Sequence, residues 1–91
     1  MYQGRHCNYS DYRLLEKISD KFLLLINRDN FCLDEAKNYL DTFSDFDFEI
    51  ASKIRTYLNK ISTDRSGVIN KITELLEELR NNVLVDIREH N

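Results

Sequence analysis

His6, Cys7, Cys32 and His90 are the only imidazole and thiol side chains in the sequence. They are the first place to look for a metal site or a nucleophile. A tetrahedral zinc site draws its ligands in spaced pairs, such as Cys-x2–4-Cys or His-x3–5-His, because the chain must loop to aim two donors at one ion. His6 and Cys7 are adjacent, Cys32 falls in a loop, and His90 falls in the last turn, so no such pairing exists. A Cys–His or Ser–His–Asp set needs its histidine on a rigid element, and both histidines fall in tails. The expected state of Cys32 is a partly buried thiol without a metal.

Carboxylates give no better a start. Asp41, Asp45, Asp47 and Glu49 crowd one stretch, but a calcium loop beginning at Asp41 needs an oxygen donor at its third position, Gly at its sixth and Glu at its twelfth. Phe43, Phe46 and Ser52 stand there instead. Di-iron bundles use a Glu-x-x-His pair on each of two helices, and the sequence has none. Glu74, Glu77 and Glu78 have Lys71 and Arg80 one turn away, which reads as solvated ion pairing. Glycine occurs only as Gly4 and Gly67, so there is no glycine-rich phosphate cradle. The expectation is a protein that is not an enzyme and has no cofactor and no metal.

The elements that carry these residues follow from composition and periodicity. In 91 residues, 42% are hydrophobic and 32% charged, proline is absent, and the net charge is −3. Such a chain is too apolar to be disordered. Sandwiches and barrels turn every 8 to 12 residues, usually with Gly or Pro, so an all-β fold is excluded. The longest apolar run, Phe22 to Ile26, falls far short of the roughly 20 residues that span a bilayer, and the N-terminus lacks the apolar core of a secretory signal. Two cysteines are too few for a disulfide scaffold, so a cytoplasmic protein with reduced thiols is expected.

Spacings of three and four residues predict four helices. In the first, capped by Ser10, Leu15, Ile18, Phe22 and Leu25 line one face, which Leu14 and Ile26 widen. Asn27 to Asn30 end it. The second carries Leu33, Ala36, Leu40 and Phe43, and Thr42 to Asp45 read as the turn that follows. The third, capped by Ser44 or Asp45, carries Phe48, Ala51, Ile54, Leu58 and Ile61. The fourth runs from about Asp64 to Arg88 with Ile69, Ile72, Leu76, Leu79 and Val83 inward and Val68, Leu75 and Ile87 at the edges. At 1.5 Å per residue it reaches roughly 36 Å, long enough for one end to overhang the bundle. Asn81 to Val85 is its weak point, because asparagine and β-branched residues are poor helix formers. No single amphipathic helix is stable by itself, and short connections make consecutive helices antiparallel neighbours. The expected fold is all-α: a small antiparallel bundle of four helices, the last one longest, as a single domain over residues 10–91 behind a flexible arm at 1–9.

Three surface features remain. Phe43-Ser44-Asp45-Phe46-Asp47-Phe48 alternates aromatics with acids. One reading is a helix start, in which the acids favour the dipole and Phe43 and Phe48 plug the bundle end. The functional reading keeps Phe46 exposed between Asp45 and Asp47 as an anchor for a basic partner. Val83, Leu84, Val85 and Ile87 cannot all face inward, since successive residues turn by about 100°. Unless the arm with Tyr2 and Tyr9 wraps them, Leu84 and Val85 form a surface for a partner or a second copy. Arg13, Lys17 and Lys21 stack as a basic ridge suited to phosphates, with Arg28 further along and Glu16 and Asp20 beside it to halve its field. An acidic chain is poorly suited to nucleic acid, so the ridge is the secondary reading: a small nucleic-acid-associated regulator. The primary expectation is a module that binds another protein and masks or inhibits it. Small immunity proteins, antitoxins, export chaperones and phage-encoded inhibitors share this build in architecture and size only.

Overall fold

The computed structural model describes residues 8–28 and 31–90, His90 by its backbone alone. Four helices follow one another: α1 (Tyr9–Ile26), α2 (Leu33–Phe46), α3 (Phe48–Leu58) and α4 (Arg65–His90). The last is the longest at 26 residues, and no strand occurs among the described residues. Each helix packs on its neighbours in sequence, and α4 packs on α1 as well. The molecule measures 42 × 20 × 18 Å, its long dimension close to the roughly 39 Å expected of a 26-residue helix.

α1 begins two residues earlier than the expected Ser10 cap. Asn8 in extended conformation accepts a bond from the Asp11 amide at 3.0 Å, while the Asp11 carboxylate accepts one from the Asn8 amide at 3.1 Å. This reciprocal pair satisfies two donors that the first turn otherwise leaves without partners. Tyr9 therefore belongs to the helix, not to a loose arm. Residues 1–7, the rest of the expected arm, lie outside the described residues, so the wrapping of Leu84 and Val85 by Tyr2 lies outside them too.

The joint between α2 and α3 also departs from expectation. No turn spans Thr42 to Asp45, because α2 continues to Phe46 and Asp47 alone separates the helices. Its backbone amide donates to the Phe43 carbonyl at 2.9 Å, closing α2, and its carboxylate accepts from the Ile50 amide at 3.2 Å, opening α3. Asp47, not Ser44 or Asp45, is the cap. The shift rotates α3 so that Ile50 joins Ala51, Ile54 and Leu58 in the interior, while Phe48 turns out to solvent.

The buried residues form one cluster drawn from all four helices, including Leu15, Phe22 and Ile26 of α1 and Ile72, Leu76, Leu79 and Val83 of α4. Phe22 meets Phe43 edge to face, ring centroids 5.3 Å apart, a geometry that sets the positive ring edge against the negative ring face. The weak stretch Asn81 to Val85 neither frays nor breaks, because Val83 and Ile87 are buried and packing overrides intrinsic propensity. Val68 near one end and Ile87 near the other are both buried, so the buried stripe runs almost the whole length of α4 and the expected overhang does not occur. Ile18 and Ile69 are only half-buried, and Leu14 is exposed.

Arg65, at the start of α4, holds α4 to the far end of α1. Its guanidinium donates to the Ile26 carbonyl at 2.9 Å and to the Arg28 carbonyl, and lies 5.8 Å from the centre of the Phe31 ring. The last turn of α1 has no basic residue of its own. Arg65 supplies the cation that the carbonyl end of a helix favours. At the other end of the pair, Tyr12 and Glu16 share a cleft with Glu77, Arg80 and Asn81, as expected for antiparallel neighbours.

Candidate interaction surface

A side chain can meet a partner only if the packing leaves it in solvent, so burial sorts the candidates first. Phe46 is 3% exposed and Asp47 2% exposed. Neither is the exposed anchor expected from the alternating stretch. Phe46 ends α2 on its buried face, and the Asp47 carboxylate is engaged in capping. Asp45 stays exposed. The aromatic that stands out is Phe48, at 68% exposure. The pattern of acids around an exposed ring is realised two residues further on, with Glu49 beside it and ion-paired to Lys53 at 3.8 Å. Phe48 also borders a shallow cleft floored by Leu40 and Ala51 and edged by Arg55.

The C-terminal pair divides. Val85 is exposed at 47%, whereas Leu84 is half-buried. The continuous helix turns these neighbours apart, so only Val85 offers a full apolar surface.

Arg13, Lys17 and Lys21 are all exposed on α1. Glu16 and Asp20 are exposed beside them, but among the described residues none of the three cations forms a contact ion pair within 4 Å. By contrast, Lys71 and Glu74 pair at 3.6 Å, the solvated pairing expected on α4. The same side of α1 carries two leucines that the apolar stripe does not use, Leu14 at 51% and Leu24 at 69% exposure. Leu24 is the candidate that pattern reading passes over. It hides inside the run Phe22 to Ile26, yet it stands nine residues from Leu15, half a turn away on a wheel of 100° per residue. That angle is the signal that finds it.

Cys32 is a free thiol, exposed where partial burial was expected. Among the described residues no three His, Cys, Asp or Glu side chains gather as metal ligands. His6 and Cys7 lie outside the described residues, as does the side chain of His90. A cleft at the α3–α4 corner is lined by Tyr57, Lys60, Asp64, Gly67 and Lys71 among others. Two of its polar groups are committed to structure: the Asp64 carboxylate accepts from the Gly67 amide at 3.2 Å, capping α4, and Lys71 pairs with Glu74. No helix among the described residues is long and apolar enough to cross a membrane. No protein-family model, no curated protein and no solved structure matches this chain.

Proposed function

We propose that this chain is a non-enzymatic interaction module that binds another protein through the outer surface of its helices and so masks or inhibits it, as immunity proteins, antitoxins, inhibitors and chaperones do. The observation that supports this reading is a closed core beside large apolar side chains left in water. Phe22, Phe43, Leu76 and Leu79 are fully enclosed, while Leu24 and Phe48 each remain more than two-thirds exposed. Large exposed apolar side chains supply docking anchors where they gather into a contiguous patch rimmed by polar residues, as Leu24 would with Leu14 and the cations of α1. Val85 adds a third position, through which a second copy would associate at the C-terminal end of α4. The exposed thiol of Cys32 suits a reducing compartment, in keeping with a cytoplasmic protein.

Affinity capture from the cell of origin tests the reading: one dominant protein should be retained in constant ratio to the bait. Retention of nothing, together with a strictly monomeric species in light scattering, would count against it. A small nucleic-acid-associated regulator is the second reading, favoured by the unpaired state of Arg13, Lys17 and Lys21. Phosphate contacts would make duplex binding fall with salt by a slope of about 0.9 per phosphate neutralised. No binding to generic duplexes at low salt would dismiss that reading.

A further inference from the structure

Resting on the interaction reading, we infer that the outer face of α1 docks an acidic, amphipathic segment of the partner protein, with leucines as anchors and lysines as the guide. At 100° per residue, Arg13, Leu14, Lys17, Lys21 and Leu24 fall within an arc of about 100°, centred opposite the buried positions Leu15, Phe22 and Ile26. All five are exposed. No carboxylate falls inside the arc. Glu16 and Asp20 lie beyond one edge and do not pair with its cations. From Arg13 to Leu24 the face runs about 16 Å, the length of three helical turns.

Two features choose the occupant. The cations are concentrated here although the chain as a whole carries a charge of −3, so this face attracts acids against the field of the rest of the molecule. The two leucines sit among the cations, which a phosphate backbone does not need. A bare row of phosphates would bury Leu24 against charge and gain nothing from it. An acidic helix with its own apolar residues satisfies both halves of the surface, the carboxylates on Arg13, Lys17 and Lys21 and the apolar side chains on Leu14 and Leu24. Charge complementarity of this kind speeds encounter and fixes register, whereas the apolar anchors hold the complex.

The test uses three labelled synthetic peptides of equal length in fluorescence anisotropy. One carries glutamates and leucines on a single helix face. One has the same composition scrambled so that no face forms. One keeps the leucines but replaces glutamate with lysine. The first should bind, moving the backbone NMR signals of Leu14, Lys17, Lys21 and Leu24. The scrambled peptide should bind about tenfold more weakly and the lysine peptide not detectably. Leu24→Ala should weaken the first peptide about tenfold, the equivalent of about 1.4 kcal/mol, at low and high salt alike. Lys17→Glu with Lys21→Glu should abolish it, with helix content unchanged by circular dichroism. Equal binding of all three peptides would overturn the inference. So would tighter binding to duplex DNA, to phosphatidylserine vesicles or to a second copy of the chain through the same residues. If the acidic peptide fails while affinity capture still retains a partner in the Leu24→Ala variant, the assignment of this face falls and the interaction reading stands.

Discussion

Ser19 should be replaceable by alanine with a gain in stability, the reverse of the usual effect of changing an enclosed residue. It lies in the middle of α1 between Leu15 and Phe22 and is fully buried, and its hydroxyl has no hydrogen-bond partner in the protein. Serine within a helix often bonds the carbonyl four residues back, here that of Leu15, but this one does not. A buried hydroxyl without a partner costs about 1–3 kcal/mol. Alanine removes that cost and is the better helix former by about 0.5 kcal/mol. Against this stands the void left by one oxygen, a few tenths at about 24 cal/mol per Å³. The balance favours Ser19→Ala by about 1–3 kcal/mol. Because 1 kcal/mol moves the melting temperature of a domain this size by about 4–8 °C, Tm should rise by at least about 4 °C. Thermal and urea unfolding followed by circular dichroism read both quantities. A fall in Tm would refute the reasoning, for it would mean that the hydroxyl is held by a partner whose loss outweighs the relief.

Other substitutions probe the joints of the bundle. Leu76→Ala, in the fully enclosed middle of α4, should cost about 2–5 kcal/mol by urea unfolding, a large share of a small domain's stability. Arg65→Ala removes the clasp on the end of α1 and should cost about 1–3 kcal/mol, since hydrogen bonds to charged groups are the stronger kind. Arg65→Lys should recover part of this, because both bonds leave a single guanidinium nitrogen and an ammonium also carries several N–H donors, though without the planar face that lies over Phe31. Gly67→Ala should fail to stabilise α4 despite alanine's advantage in helices. The new Cβ would stand 2.3 Å from an Asp64 carboxylate oxygen and displace the cap, a loss of about 1 kcal/mol that cancels the gain. In Asp64→Ala, where no cap remains to lose, the same glycine change should stabilise by about 1 kcal/mol, so a double-mutant cycle separates the two effects.

The helices were legible because periodicity needs only residue types, and Leu15, Phe22, Ile54, Leu76 and Leu79 all lie where the pattern puts them. What the pattern missed turns on single residues. Asp47 serves two helices at once, which leaves no turn between them and rotates α3, exchanging the fates of Phe46 and Phe48. No periodicity signals that, because Ser44, Asp45 and Asp47 are all competent caps and only the packing of Phe46 and Ile50 decides among them. The Arg65 clasp joins residues 39 apart in sequence, a tertiary contact that local rules do not reach. Asn81 to Val85 shows the converse, a stretch of weak helix formers kept helical by the burial of Val83 and Ile87. At the surface, the ridge of Arg13, Lys17 and Lys21 was visible from spacing. Its lack of pairing was not, since whether Glu16 and Asp20 reach those cations depends on rotamers.

In the proposed function the interior of this bundle holds the fold and its outer surface meets the partner. The most direct measurement pairs affinity capture with thermal melting for the wild type and for a Leu14→Asp, Leu24→Asp double variant. The expected result is a stoichiometric partner retained by the wild type and lost by the variant, with the fold and most of Tm kept because Leu24 is largely and Leu14 half exposed. A variant that unfolds, or one that keeps its partner undiminished, would contradict it.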